Sequence, residues 1–260
     1  MTPKAINALN QFKSGVKGAF KKHINNQDKL DPNNPKIFED AVNAAYGDAK
    51  RTFKGIAGRA ITANSNLASK IQTYFQDTAP NPKDSTCFDG LHDTWCSEFI
   101  SDLNTVGYTI ATYGQAQKVV NMTFKYLYCL DDATNYNDHF EHCHVALDSY
   151  TLEWIWRNCN ISNTETHDDW SKIQYDDRPT KKTTTLGYKK IVDKYRKNKP
   201  ASYPDTPFQS EFIFWPEIKM HLACEAFYFA LNDNLSNKEK ETFRNTKNLN
   251  TKKAEIEKHL

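Results

Sequence analysis

The sequence is poor in the features that mark whole classes of protein. No run approaches the roughly 18 apolar residues of a membrane-spanning helix. The stretch MTPKAINALNQFKSGVKGAFKKH lacks a compact apolar core before a cleavage site, so no secretory signal is expected. Only nine glycines are spread over 260 residues. None of them builds a phosphate-cradling loop, a nucleophile elbow or a dinucleotide fingerprint. Strand-like alternation is scarce, and no internal repeat or low-complexity tract is present. The six cysteines, Cys87, Cys96, Cys129, Cys143, Cys159 and Cys224, have no close paired spacing. They read as reduced thiols of a cytoplasmic protein, several of them buried.

What is there is a globular composition with segregated charge. Hydrophobic residues make up 38%, enough for a real core in one large or two small domains. The formal net charge is only +2. Yet Lys4, Lys13, Lys17, Lys21 and Lys22 precede the first acid, Asp28. A second basic segment holds Arg178, Lys181, Lys182, Lys189, Lys190, Lys194, Arg196, Lys197 and Lys199, against Asp193 alone. A polyanion responds to local potential, so two such clusters lean toward nucleic acid, although a solvated helix face explains either one singly.

Periodicity of 3.6 residues predicts a mainly α fold. Helices are expected over residues 2–20, 37–46, 50–74, 94–103, 113–130, 183–198 and 208–232, with another opening at Asp148. Pro216 is expected to start or kink a helix, and residues 237–260 to form a charged helix or fray. The turn-rich stretch DTAPNPKDSTCFDG suggests a boundary between a basic helical segment, 1–80, and a second helical region, 81–260, unless the two form one compact domain.

Two stretches carry the chemistry. In YGQAQKVVNMTFKYLYCL, Lys118, Asn121 and Lys125 fall at i, i+3 and i+7, a polar line on an otherwise apolar helix. A lysine at the rim of a buried region is a neutral amine in waiting, because desolvation disfavours its charged form. Taken alone, a snorkelling lysine on a half-buried helix is the better reading. In HCHVALDSYTLEWIW, Asp148 stands where an apolar run meets a helix, the position of an N-cap. A carboxylate held there stays ionised and can stabilise positive charge on a substrate.

A lysine early in an apolar helix, a loop, and then the aspartate opening hVALDSYTLEWI together resemble the helix-hairpin-helix DNA glycosylases. The wording QKVVNMTFKYL and the spacing to the aspartate are nearest the archaeal 8-oxoguanine branch, over residues 113–156. The resemblance implies a two-lobed helical fold with a cleft between helical subdomains. It also implies a monomer acting without a cofactor on DNA that carries a modified base. Lys118 would attack the sugar C1′ of an extruded nucleotide, with possible lyase activity, and Asp148 would assist. The chain departs from the family before the lysine, where TVGYTIATYGQAQK offers only Gly107 and Gly114 in place of a glycine-rich hairpin. On charge alone, Lys17, Lys21, Lys182, Lys189 and Lys190 are candidate phosphate contacts. Asn121, His144, Trp154, Trp215 and Glu211 are candidates for the base pocket. The rivals are a non-catalytic helical protein that binds nucleic acid or protein, and a metal-organised domain built on HFEHCH. That cluster has ligand-type residues but no paired short spacing, so no metal is assigned.

Overall fold

The computed structural model describes residues 3–54, 60–76, 85–161, 169–179 and 184–260. They are mainly helical, in the order α1 (Pro3–Gly15), α2 (Phe20–Asn25), α3 (Pro35–Ala49), α4 (Ile61–Gln76), α5 (Ser85–Thr105), α6 (Tyr113–Leu127), α7 (Asn137–Phe140), α8 (Ser149–Asn158), α9 (Tyr188–Asn198), α10 (Pro207–Leu231), α11 (Asn237–Asn245) and α12 (Leu249–Glu257). Two two-residue strands, β1 (Arg178–Pro179) and β2 (Thr184–Thr185), pair antiparallel. Among the described residues, no helix is long and apolar enough to cross a membrane.

Helix α6 is the axis of the molecule, and all of its residues are buried. It starts with a capping box, in which Thr112 accepts from the Gln115 amide and the Gln115 side chain accepts from the Thr112 amide. Helices α3 and α5 pack on it, while α10 packs against α1, α8 and α12. One hydrophobic core runs from Leu9 to Ile218. It crosses the boundary expected near residue 80, since Phe75 and Phe88 both meet Phe124, with ring centroids at 5.8 and 5.7 Å. A smaller cluster of Cys224, Tyr228, Phe243 and Ile256 joins α11 and α12 to the end of α10.

Several helix boundaries differ from expectation for local reasons. The helix expected over residues 2–20 ends at Gly15, and Gly18, with a φ of +71° that suits glycine, turns the chain between α1 and α2. The helix expected over 50–74 is interrupted because Lys50 caps α3 and Phe53 leaves helical geometry to bury its ring against Tyr46 and Tyr108. Helix α5 is longer than expected at both ends. Pro216 neither starts nor stops α10, which opens at Pro207 and runs through it. Its missing N–H leaves the Phe212 carbonyl without its usual i+4 donor.

Candidate active site

Lys118 and Asp148 meet on the wall of a cavity of about 770 Å³, lined by α1, α6, α10, the start of α8, Asp48 at the end of α3, Arg51 in the turn after it, and Trp170. Asp148 is the N-cap of α8, with Oδ1 accepting from the Thr151 amide at 2.9 Å. Its Oδ2 accepts from Lys118 Nζ at 2.7 Å and from the Trp215 indole N–H at 3.3 Å. Burial pushes the Asp148 carboxyl up. The Lys118 ammonium, the Thr151 amide and the more distant Lys125 outweigh that and hold it below the ordinary carboxylate value. Asp148 is therefore an anion aimed at the amine.

Two helical turns along α6, a second pair lines the same cavity. Lys125 Nζ donates to Glu211 Oε1 at 2.6 Å, and Glu211 Oε2 accepts from the Ala146 amide at 3.1 Å. The Lys125 ammonium also lies 4.6 Å and 5.1 Å from the ring centroids of Phe12 and Phe212. The pairs differ in access. Lys125 and Glu211 side chains are 5% and 1% exposed, whereas Lys118 and Asp148 are 10% and 12% exposed. A buried ion pair is by itself no sign of catalysis. Both pairs line the cavity, and the Lys118 pair is the more exposed of the two.

The segment that delivers Asp148 is extended, and side chains take the place of a neighbouring strand. Asn121 Nδ2 donates to the Val145 carbonyl, Glu211 accepts from the Ala146 amide, and Gln117 bonds both peptide groups of Leu147. Gln117 precedes Lys118 and Leu147 precedes Asp148. The reciprocal amide–peptide bonds, at 2.8 and 3.1 Å, therefore fix the register of amine against carboxylate.

Six aromatic side chains line the cavity: Phe12, Tyr126, Tyr150, Trp170, Phe212 and Trp215. Tyr150 meets Trp215 edge-on at 4.9 Å. Trp170 is brought in by Gly114, whose amide donates to the Ile173 carbonyl at 2.8 Å. A Cβ on Gly114 would lie 2.2 Å from the Trp170 carbonyl oxygen, so only glycine permits that approach. The Trp170 ring centroid lies 6.0 Å from Lys118 Nζ.

The other residues singled out in the sequence are distributed unevenly. Trp215 and Glu211 line the cavity; Asn121, His144 and Trp154 do not. Asn121 turns the other way, accepting from His92 Nε2 at 2.9 Å and donating to the Tyr188 hydroxyl. His144 lies in the same buried network, donating to Asp89 and accepting from the Tyr188 hydroxyl, each at 2.7 Å. Burial lowers the His144 pKa, and the nearby Arg196 adds to that against the pull of Asp89. Trp154 stacks on Phe214 at 4.2 Å and lines a separate pocket of about 260 Å³.

None of the candidate phosphate lysines among the described residues lines the cavity. Lys17 and Lys189 are exposed, and Lys190 bonds Asp177 at 2.7 Å. Lys21 donates to the Lys13 and Ser14 carbonyls at the end of α1. Lys182 lies outside the described residues. In the connection between α5 and α6, the Gly107 and Tyr108 amides bond the Asn104 and Leu103 carbonyls, and in the first turn of α6 the Gly114 and Gln115 amides bond the Ile173 carbonyl and the Thr112 hydroxyl.

The HFEHCH side chains also diverge. His139 stacks on Phe75 at 5.2 Å, Cys143 donates to the His139 carbonyl, and His144 bonds Asp89. Among the described residues, no three His, Cys, Asp or Glu side chains gather to hold a metal ion.

Sequence reasoning missed Phe12, Arg51, Tyr150, Phe212 and Lys219 as parts of this cavity, and it gave Lys125 no role. Lys125 alone carried a signal, seven residues after Lys118 on one helix. No family model matches the chain, no curated protein matches it and no solved structure matches it.

Proposed function

We propose that the protein is a monomeric DNA glycosylase that removes a modified base from an extruded nucleotide, with Lys118 as nucleophile and Asp148 as its partner. The observation that carries this reading is the 2.7 Å contact between Lys118 Nζ and Asp148 Oδ2 on the wall of an aromatic cavity. As Nζ approaches the sugar C1′, its proton passes to Asp148. The N–C1′ bond forms, the glycosidic bond breaks, and the departing base takes the electron pair and then the proton. Opening of the sugar ring converts the adduct to an imine, the species from which strand cleavage follows. Once the base has taken that proton, the restored carboxylate faces the positive charge of the sugar adduct. The aromatic walls suit a planar base taken out of the stack. The two-lobed glycosylase arrangement, with α5 and α6 as a hairpin pair, belongs to the same proposal. The Gly107 and Tyr108 amides of the connection between them are spent internally and grip no phosphate.

The test is borohydride trapping on duplexes that each carry one modified base. A covalent adduct is expected with the native chain and none with Lys118→Gln. Asp148→Asn is expected to lower the rate by roughly 10²–10⁴ with DNA binding nearly intact. An adduct that survives Lys118→Gln removes Lys118 as the attacking amine. Salt-sensitive binding without base release from any duplex would instead favour a non-catalytic nucleic-acid-binding protein.

A further inference from the structure

We infer that the mouth of the cavity holds one phosphate ester group of the substrate between Arg51 and Lys219; only the identity of that substrate as DNA rests on the glycosylase reading. The charges lining the cavity are the cations Arg51, Lys118, Lys125 and Lys219 and the carboxylates Asp48, Asp148 and Glu211. Lys118 cancels Asp148, and Lys125 cancels Glu211. Asp48 accepts the Tyr126 hydroxyl at 2.7 Å. Arg51 and Lys219 are left, both exposed, and neither has a carboxylate within ion-pair distance among the described residues. The cavity therefore carries its neutral pairs inside and its unmatched positive charge at the opening. That is the charge pattern of a site whose ligand is apolar and planar at one end and anionic at the other.

Both cations are held at the rim by the site itself. Lys219 lies over the Trp215 ring, 5.5 Å from its centroid, and Trp215 is bonded to Asp148. Arg51 belongs to a turn tied to the first turn of α6, because the Thr52 carbonyl accepts from Gln115 Nε2 at 2.7 Å. Lys50 and Lys54 flank it, are exposed, and raise the potential further. Arg51 suits a phosphate through its planar fork of donors, and Lys219 through point charge. Asp48 is the one acid at this rim that must be outweighed. Phosphate esters occur both in a DNA strand and in a free nucleotide, so the experiment uses both.

Binding of the full chain is measured against salt concentration with two probes, a short duplex holding a tetrahydrofuran abasic site and a deoxynucleoside 5′-monophosphate. The variants are Arg51→Gln, Lys219→Gln, their combination, and Lys253→Gln, which alters an exposed lysine of α12 outside the cavity lining. Each of the first two is expected to weaken duplex binding, and the combination, which releases the one phosphate, to reduce the slope of log affinity against log salt by about 0.9. Lys253→Gln is expected to keep the native slope. A double variant with native affinity and slope for both probes overturns the inference. So does a loss at Lys253→Gln equal to that at either rim residue. Monophosphate binding that depends on Arg51 and Lys219, with no duplex binding, upholds the phosphate site and removes DNA as its source. The two readings fail separately: borohydride trapping reports on Lys118, and the salt slope reports on the rim.

Discussion

Replacing Lys125 with methionine would leave the Glu211 carboxylate, 1% exposed, with the Ala146 amide as its remaining donor. Removing one partner of a buried ion pair costs roughly 3–5 kcal/mol, because the surviving charge has neither counter-ion nor water. The same change at Lys118 leaves Asp148 better provided for. It keeps the Thr151 amide at 2.9 Å and the Trp215 indole at 3.3 Å, on a side chain 12% exposed at the cavity. The expected cost there is about 1–2 kcal/mol. For a chain of this size each kcal/mol moves the melting temperature by about 2–4 °C, so Lys125→Met should melt roughly 10 °C below the native chain and Lys118→Met roughly 4 °C below. Scanning calorimetry on the two variants gives the comparison. Adding Glu211→Leu to Lys125→Met should recover most of the loss, since a buried pair can be exchanged for apolar packing at little net cost. Equal destabilisation at Lys118 and Lys125 would refute the reasoning. It would make both pairs structural and remove the distinction between the more buried pair and the more exposed one.

Two more predictions follow from buried groups. His92 and His144 are held neutral by burial, with folded pKa values below the ordinary histidine value, and the half-buried His221 is shifted the same way. The unfolded chain therefore binds more protons than the folded one as pH falls below about 6.5, and stability should fall by about 1.4 kcal/mol per pH unit for each such histidine. Denaturant titrations between pH 6.5 and the acid limit should show this slope, reduced by about one proton in His92→Gln; an unchanged slope in that variant would refute the assignment. Gly114→Ala would place a methyl 2.2 Å from the Trp170 carbonyl oxygen, so it should cost about 1–3 kcal/mol and alter Trp170 fluorescence; an unshifted melting curve would contradict the close approach.

The mainly helical architecture was legible because 3.6-residue periodicity and capping residues act locally. Asp148 marks a helix start from its own side chain. The interruptions were less legible because tertiary packing causes them. Phe53 abandons helical geometry to reach Tyr46 and Tyr108, and nothing in KRTFK announces that destination. The same division holds at the cavity. Lys118 and Asp148 had local signals, whereas Phe12, Arg51 and Lys219 come from distant parts of the chain and meet there only through the fold.

The polar line on α6 shows where pattern reading reaches its limit. At 100° per residue, Lys125 lies about 20° from Lys118 around the helix, whereas Asn121 lies about 60° away and about 40° from Gln117. On a helix with one wet face, all of these would share the opening. Helix α6 has no wet face, so each polar side chain goes to whichever partner lies in its own direction. Lys118 and Lys125 reach carboxylates at the cavity, while Gln117 and Asn121 reach the backbone of residues 145–147. Buried polar groups persist only when they are bonded, and here the bonding partner is the strand-like segment that ends in Asp148. Of the residues singled out for a base pocket, Asn121 and Glu211 bond this segment, and Trp215 lines the cavity beside the rings of Phe12, Tyr126, Tyr150, Trp170 and Phe212.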